Sequence, residues 1–430
     1  MTPQEIILAH KEHLFPSIFH FFAEPLLLTH AKNQYVWDAA GKQYLDFLCG
    51  IVTVSVGHAN DHVNARLKEQ MDKLQHISTL FVNEPQARLA AKLATISPNG
   101  QLTKSFFTNS GSEANEAAIL TARCYTGSTE IIALRHGYHG RGSLGMALNG
   151  QQQWHQTMPP QPGIVHAHNA YCYRCPFGLK YPDCEVRCAT DMKDLIETST
   201  SGRVAGFIAE PIQGIGGFIT PPKEYFKITT DIVRQHGGLF IADEVQTAWG
   251  RTGTWFGIEH WDVVPDMITS AKGLGNGFPV AVTMAKPEVA AGLKGLTIST
   301  FGGSPMAATA ASAVLEFIEQ NQLMENAVTQ GDYLRQQLLA LQEQHPIIGD
   351  VRGMGLMQAV ELVTDRKTKE PAKLATTRIL EACREEGLLL GKGGLHGNVF
   401  RITPPLNIGR SDIDEFAAKF GRALSRETSS

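Results

Sequence analysis

The stretch LFIADEVQ, residues 239–246, is an apolar run of strand length that ends in two adjacent carboxylates, Asp243 and Glu244. A second run, MITS at residues 267–270, is followed at once by Ala271 and Lys272. Short apolar runs bounded by turn residues are typical of strands that are buried on both faces. The two runs therefore predict neighbouring buried strands, each with a charged group just beyond its carboxyl end.

Similar runs occur earlier in the chain, at residues 130–134 and 204–210, and a helical pattern at residues 223–235 separates two of the strands. Alternation of strands and helices predicts an α/β fold with a mostly parallel sheet. Ligands bind beyond the carboxyl ends of the strands in such sheets. Glu210, Asp243 and Lys272 are therefore expected to meet at one edge.

Lys272 lies among apolar and glycine residues, and Asp243 is expected near it. Pyridoxal 5'-phosphate (PLP) needs this pair, because an amine carries the cofactor as a Schiff base and a carboxylate keeps the pyridine nitrogen protonated. The pair predicts an enzyme of amino-group chemistry, with Lys272 and Asp243 as its catalytic residues.

A polar turn, NSGSEANE at residues 109–116, opens a predicted helix. The free N–H groups of a helix start, a small residue and a hydroxyl suit a phosphate group. Gly111 and Ser112 are therefore candidates for phosphate binding. An ordinary helix cap is the alternative interpretation of this turn.

Three further side chains are candidates for contact with a flat heterocycle and its phosphate. Tyr138, within HGYHG at residues 136–140, has the ring to stack on such a group, or it is a core tyrosine. Gln246 is spaced to turn its amide toward the ring oxygen, or it lies on a helix surface. Thr300 ends a glycine-rich loop and offers another phosphate contact, unless the loop is a plain turn.

Composition excludes several other classes of protein. The chain has 430 residues and a net charge of −4, which leaves no basic excess for a nucleic-acid partner. No apolar run approaches the roughly 20 residues of a membrane-spanning helix. The first residues lack a signal-peptide pattern, so a cytoplasmic location is expected.

Four of the seven cysteines are close together in the sequence, at Cys172, Cys175, Cys184 and Cys188. Their spacing resembles that of a structural zinc site. The gap between the two pairs is short, however, and the amino-group chemistry needs no metal. A surface loop with reduced thiols is the favoured interpretation, and no metal is predicted.

The motifs together resemble those of the class III aminotransferases of PLP fold type I. The similarity runs over nearly the whole chain, through residues 50–58, 109–115, 138–140, 210–214, 243–247, 272–273 and 300–303. It implies a large domain with a mostly parallel central sheet flanked by helices, and a smaller α+β domain from both termini. The expected divisions are residues 1–55, 56–308 and 309–430, with the large domain in the middle.

The resemblance also implies a role for each candidate. Lys272 would form the Schiff base and shuttle a proton, and Asp243 would pair with the pyridine nitrogen. The other residues expected to bind the cofactor are Gly111, Ser112, Tyr138, His139, Gln246 and Thr300. Thr300 in this family reaches the phosphate of the neighbouring subunit, which implies a homodimer or a dimer of dimers.

Substrate recognition is expected to depend on Arg401, since a guanidinium group binds a carboxylate in a bidentate manner. Glu210 resembles the glutamate that neutralises this arginine in relatives that use 2-oxoglutarate. A surface ion pair is the alternative role for Arg401.

Residues 50–58 and 173–178 most resemble the branch that contains the alanine–glyoxylate aminotransferases 2 and their phospholyase neighbours. The expected reaction is ping-pong transfer of an amino group from an amino acid or amine to a 2-oxo acid such as pyruvate or glyoxylate. A PLP-dependent lyase acting on a phosphorylated or phosphonate amine is the alternative. Intact Lys272 and Asp243 disfavour a non-catalytic binding protein.

Overall fold

The computed structural model describes residues 1–156 and 161–428. No helix in these ranges is both long enough and apolar enough to cross a membrane. The helices are α1 Pro3–His13, α2 Cys49–Val52, α3 Asp61–Met71, α4 Glu84–Ile96, α5 Gly111–Thr126, α6 Ser143–Leu148, α7 Arg187–Ser199, α8 Tyr225–Gln235, α9 Pro287–Ala290, α10 Pro305–Gln320, α11 Leu323–Gln344, α12 Lys373–Glu385 and α13 Arg410–Thr428.

The strands are numbered in chain order in the same way. They are β1 Leu28–Lys32, β2 Tyr35–Asp38, β3 Gln43–Asp46, β4 Lys104–Thr108, β5 Ile131–Leu134, β6 Ile164–Ala167, β7 Gly206–Ala209, β8 Leu239–Asp243, β9 Met267–Ser270, β10 Ala281–Ala285, β11 Ile348–Met354, β12 Met357–Asp365, β13 Glu370–Pro371, β14 Leu388–Leu389, β15 Gly391–Gly393 and β16 Val399–Ile402.

The largest sheet has seven strands in the order β4-β10-β9-β8-β7-β5-β6. Strands β5 to β9 run parallel to their neighbours within this group, whereas β10 is antiparallel to both β9 and β4. The predicted α/β fold with a mostly parallel sheet is confirmed. In the register of β8 and β9, Asp243 lies opposite Thr269, so the ends of these two strands adjoin.

The strand within the stretch that predicted the fold is buried along its whole length, because every residue of β8 is buried. Phe240 of this strand stacks on Phe207 of β7 and on Phe226 of α8, with ring centroids 5.6 Å apart in both pairs. Burial of an aromatic side chain of this size stabilises the fold by roughly 1.5–3 kcal/mol. Burial of this apolar strand therefore fixes where β8 ends, and with it the position of Asp243.

Two smaller sheets lie outside the central one. The first has the order β1-β2-β3-β14, in which β2 and β3 pair antiparallel as a hairpin. Strand β14 pairs in parallel with β3, so segments from the two ends of the chain share this sheet. The second has the order β11-β12-β16-β15, with β13 paired to β12.

The predicted division at residues 308 and 309 stays a prediction, and helix α10 passes through it without a break. This helix is held against the helices before the central sheet by two ion pairs. Arg66 of α3 lies 2.6 Å from Glu316, and Lys92 of α4 lies 2.5 Å from Glu319.

Arg251 joins distant parts of the chain behind the sheet edge. It is 1% exposed, and its guanidinium group donates to the carbonyl oxygens of Leu356 and Pro404 at 3.2 and 2.5 Å. It also donates to Ser55 Oγ at 3.3 Å. A Cβ atom at Gly273 would lie 2.5 Å from that same Oγ, so Ser55 packs directly against the residue that follows Lys272.

Candidate active site

A cavity of about 350 Å³ opens at the carboxyl ends of β8 and β9. Its size suits a cofactor or a small ligand. Eight of the predicted residues line it, namely Gly111, Ser112, Tyr138, His139, Glu210, Asp243, Gln246 and Lys272. Thr300 and Arg401 are not part of its lining.

Asp243 is a buried carboxylate whose two oxygens are held by donors from three segments. Its Oδ2 accepts hydrogen bonds from His139 Nδ1 and Asn115 Nδ2, both at 2.8 Å, and its Oδ1 accepts one from the Val245 N–H at 3.1 Å. A carboxylate that is removed from water stays ionised only when such donors satisfy it. The carboxylate is therefore fixed in orientation at the edge of the cavity.

His139 is part of this arrangement rather than a free side chain. Burial alone would lower the pKa of His139, but the hydrogen bond and the charge of Asp243 raise it above its ordinary value. Its Nε2 has no hydrogen-bond partner among the described residues. Asn115 is held in turn, because its Oδ1 accepts from Thr269 Oγ1 at 2.5 Å.

Lys272 follows β9 with a left-handed backbone, at a φ of 41°. This conformation costs a residue other than glycine about 1–2 kcal/mol. Burial lowers the pKa of Lys272, while the charges of Asp243 and Glu210 oppose that shift. No hydrogen bond or ion pair involves its amine in the part of the chain that the structure describes, so the amine is available for chemistry.

The start of α5 forms one wall of the cavity. Ser110 caps the helix by accepting a hydrogen bond from the Glu113 N–H at 3.3 Å, while Gly111 and Ser112 line the cavity. A Cβ atom at Gly111 would lie 2.8 Å from a methyl group of Val245, so a larger residue does not fit there. The turn thus contains a helix cap and, beside it, free N–H groups that can bind an anion.

Tyr138 and Gln246 line other parts of the cavity. The Tyr138 ring contacts Trp154 edge to face, with centroids 5.1 Å apart, so its position is fixed from behind. Gln246 is 8% exposed and its Oε1 has no partner among the described residues. Gly214 packs directly on its amide, because a Cβ atom there would lie 2.1 Å from Gln246 Nε2.

Glu210 is held by backbone groups rather than by an arginine. Its Oε1 accepts from the Tyr138 N–H at 2.9 Å, and its Oε2 accepts from the Gly214 N–H at 2.7 Å. Burial raises the pKa of Glu210, and the charge of His139 opposes that shift. The neutralising ion pair with Arg401 that the resemblance implies is not formed among the described residues.

Arg401 lies on β16 and is 2% exposed, so the alternative of a surface ion pair is wrong. Its Nε has no hydrogen-bond partner among the residues that the structure describes, and the Phe218 ring lies 6.0 Å from its guanidinium carbon. Burial lowers the pKa of Arg401 to about 10, and the charge of Glu210 opposes that shift. A buried cation without a salt-bridge partner is suited to bind a carboxylate.

Thr300 does not join the other predicted residues within one chain. It is exposed and belongs to a loop with several exposed apolar side chains nearby. Within a single chain, Thr300 therefore does not contact the cavity whose phosphate site it was predicted to complete.

The four clustered cysteines line a separate cavity of about 20 Å³. Among the described residues, no group of three or more histidine, cysteine or acidic side chains is arranged to hold a metal ion. Burial and the neighbouring thiols Cys184 and Cys175 raise the pKa of Cys172 above its ordinary value. This shift favours the protonated thiol of Cys172 at neutral pH.

Two residues of the site had no predicted role. Asn115 was visible as a polar residue within the first turns of α5, but its contact with Asp243 joins positions far apart in the sequence. Arg141 follows the HGYHG motif directly and lines the cavity. Its position beside that motif was the signal that could have found it.

The groups around the cavity fit PLP. A free amine, a fixed carboxylate, helix N–H groups and an unpartnered amide are the protein groups that bind this cofactor's aldehyde, ring nitrogen, phosphate and phenolic oxygen. All of them face one space of suitable size. The donor set therefore agrees with the cofactor predicted from the sequence.

Comparison with known proteins agrees with this geometry. The family model for "Aminotransferase class-III" matches residues 22–424, so the chain belongs to the class III aminotransferases and is a PLP-dependent transaminase. It is 44% identical to "alanine–glyoxylate aminotransferase 2 homolog 2, mitochondrial" of Arabidopsis thaliana, over 98% of this chain and 87% of that protein. The human alanine–glyoxylate aminotransferase 2 is 39% identical, over 97% and 85% of the two chains.

Solved structures lead to the same family. An aminotransferase from Bacillus anthracis superposes with a TM-score of 0.92 at 32% identity, over 98% of both chains. The predicted PLP fold type I is thereby confirmed, together with the predicted cofactor.

The lowered pKa of Lys272 predicts that its amine reacts at a lower pH than an ordinary lysine. A larger fraction is unprotonated at any pH below 10.5, and only that form attacks an aldehyde. We expect reductive methylation of the apoenzyme, followed by mass spectrometry, to reach its half-maximal rate at Lys272 below pH 10.5. The exposed Lys227 serves as the internal reference for accessibility. A half-maximal rate at or above pH 10.5 would contradict the assignment.

Proposed function

We propose that Lys272 and Asp243 together carry out amino-group transfer in the cavity at the sheet edge. The observation that supports this most is the buried Asp243 carboxylate, fixed by three donors, in the same cavity as the unpartnered amine of Lys272. PLP, when bound, supplies an aldehyde that captures amines and a ring that takes up the electrons released at the substrate α-carbon. The protein supplies orientation, charge and proton transfer.

Each group has a separate task in this proposal. Lys272 would hold the cofactor through its amine and would move the proton at the substrate α-carbon. Asp243 would pair with the ring nitrogen, since its carboxylate lines the same cavity as Lys272. His139 and Asn115 keep the Asp243 carboxylate in place.

The remaining cavity residues hold the cofactor in position. Gly111, Ser112 and the first N–H groups of α5 would bind its phosphate, since a helix N-terminus attracts anions. Tyr138 would cover one face of its ring. Gln246 would donate through its amide N–H to the phenolic oxygen.

Alanine is the proposed amino donor and glyoxylate the proposed acceptor, with pyruvate as the product of the first half-reaction. The names of the two alanine–glyoxylate aminotransferases support this choice. The first step oxidises the amino acid to a 2-oxo acid and leaves the nitrogen on the enzyme. The second step returns that nitrogen to the acceptor.

Mixing the PLP-loaded enzyme with alanine alone tests the first step. We expect one pyruvate per active site, together with a change of the cofactor absorbance to that of its amine form, and full recovery on addition of glyoxylate. Lys272→Ala should abolish the reaction, whereas the surface substitution Lys227→Ala should leave it unchanged.

Failure of every amino donor to produce a stoichiometric 2-oxo acid would contradict the proposed roles. Release of phosphate from a phosphorylated amine, without such a product, would instead support the lyase alternative.

Arg401 is the proposed binding group for the substrate carboxylate, with Arg141 as the second cation of the site. Removing a buried charge partner costs about 2–5 kcal/mol. We therefore expect Arg401→Met to raise KM for alanine about 100-fold, and to leave turnover of an amine without a carboxylate within about twofold. Arg187→Met, at an exposed position, is the control. The same selective loss in Arg141→Met, with Arg401→Met unaffected, would transfer the role to Arg141.

We also propose that the active form is a homodimer in which Thr300 reaches the site of the partner. Thr300 is exposed in the single chain, and large apolar side chains are exposed in the same loop and in a second segment of the chain. Groups of large exposed apolar side chains mark candidate protein interfaces. These side chains are Leu80, Phe81, Val82, Leu296, Ile298 and Phe301.

Mixed dimers test whether Thr300 acts across the interface. A dimer that pairs a Thr300→Val subunit with a Lys272→Ala subunit has one site in which Lys272 and the partner-derived threonine are both intact. We expect this mixed dimer to recover about half of the wild-type activity per dimer, while each parent homodimer is impaired. Thr297→Val in the same loop is the control. Absence of recovery in the mixed dimer would show that Thr300 acts within its own chain.

The cytoplasmic location expected from the sequence stays a prediction, and both relatives named above are described as mitochondrial. Fractionation of the source cells with an antibody against the chain would test it.

A further inference from the structure

A second basin lies on the surface, beside the first turn of α12. It has a volume of about 550 Å³ and shares no residue with the cavity that contains Lys272. Its lining contains four basic side chains, Arg174, Lys369, Lys373 and His396, and one acidic side chain, Glu370. In a chain with a net charge of −4, this is a local concentration of positive charge.

Arg174 is paired with Glu361 at 2.6 Å, but the other basic side chains of the basin lack an acidic partner in the part of the chain that the structure describes. Among the described residues, Lys369, Lys373 and His396 have no carboxylate within 4.0 Å. Lys392 lies near Lys373 and donates only to Thr377 Oγ1, at 3.2 Å. Burial lowers the pKa of Lys392, and the charge of Lys373 lowers it further. Like charges gathered without a counter-ion repel one another, and a bound anion would relieve that repulsion.

Two of the basic side chains are held in place by residues that do not line the basin. Arg174 donates through Nε to the buried Glu361 at 2.6 Å, and its Nη2 is buried without a hydrogen-bond partner among the described residues. Lys369 donates to the Tyr173 carbonyl oxygen at 2.6 Å, with its ammonium 4.7 Å from the centre of the Tyr173 ring. These contacts reduce the entropy that the two side chains would lose on binding a ligand.

The backbone at the start of α12 also contributes positive electrostatic potential to the basin. Helix α12 begins at Lys373, after Ala372, which has no side chain able to cap it, and its first turn contains no acidic residue. Its first N–H groups therefore receive no side-chain cap among the described residues, and the helix dipole is positive at this end. Lys373 and the preceding Pro371 both line the basin.

We propose that this basin binds the phosphate group of a small phosphorylated molecule. Lysines act as point charges toward phosphate, and free helix N–H groups complete its coordination. The volume is that of a site for a metabolite rather than for a bare ion. Arg174, Lys369 and Lys373 are the residues assigned to the phosphate.

Titration of the PLP-saturated enzyme with inorganic phosphate, by calorimetry at low salt, tests the assignment. With PLP bound, the phosphate-binding turn at Gly111 and Ser112 is filled and does not compete. We expect one saturable site per chain, and a loss of affinity of at least about tenfold in the double variant Lys369→Met/Lys373→Met. Transamination and the thermal midpoint should remain those of the wild type.

The control is Lys193→Met/Lys227→Met, which removes the same charge from exposed positions on α7 and α8. Its affinity for phosphate should stay within about twofold of the wild type. Absence of saturable binding, or an equal loss in both double variants, would overturn the proposal. Binding that survives in the basin variant but is lost in Arg141→Met would place the anion in the active-site cavity, and would overturn it as well.

Discussion

The buried carboxylate of Asp243 is the interaction on which the rest of the site depends. Removing a carboxylate from water is costly, and here three hydrogen bonds offset that cost. The donors come from α5, from the loop after β5 and from the backbone after β8. Each of these segments also lines the cavity, so the contacts that hold the Asp243 side chain in place also help to shape the cavity.

The sequence was sufficient to predict the end of β8, the end of β9 and the start of α5. Each follows from a local signal, an apolar run or a helix-opening turn, and Asp243, Lys272 and Gly111 are positioned by these elements. The partners of Asp243 follow from contacts between residues far apart in the chain. His139 was predicted to bind the cofactor, but its hydrogen bond to Asp243 depends on how β5 and β8 lie in the sheet. Asn115 was not assigned a role for the same reason.

The positions of the residues expected to bind the substrate depend more on contacts between distant parts of the chain. Arg401 was predicted by its resemblance to a family position. The structure shows that it is buried and not part of the cavity lining, and that Glu210 is bound to backbone groups instead. Strand β16 carries Arg401, and Arg251 links the segment after this strand to Ser55. Arg251 donates to the carbonyl oxygen of Pro404 and to Ser55, which packs against Gly273 beside Lys272. Local sequence patterns do not reveal such a buried link. Local sequence signals therefore predicted the residues expected to bind the cofactor better than those expected to select the substrate.

The most direct test of the central claim is the rate of the alanine half-reaction in Asp243→Asn. This substitution preserves the shape of the side chain and removes its charge, and cofactor content can be matched before the measurement. If Asp243 keeps the ring nitrogen protonated, the rate should fall about a thousandfold, which corresponds to about 4 kcal/mol of lost stabilisation. A rate within about tenfold of the wild type, at equal cofactor content, would contradict the account.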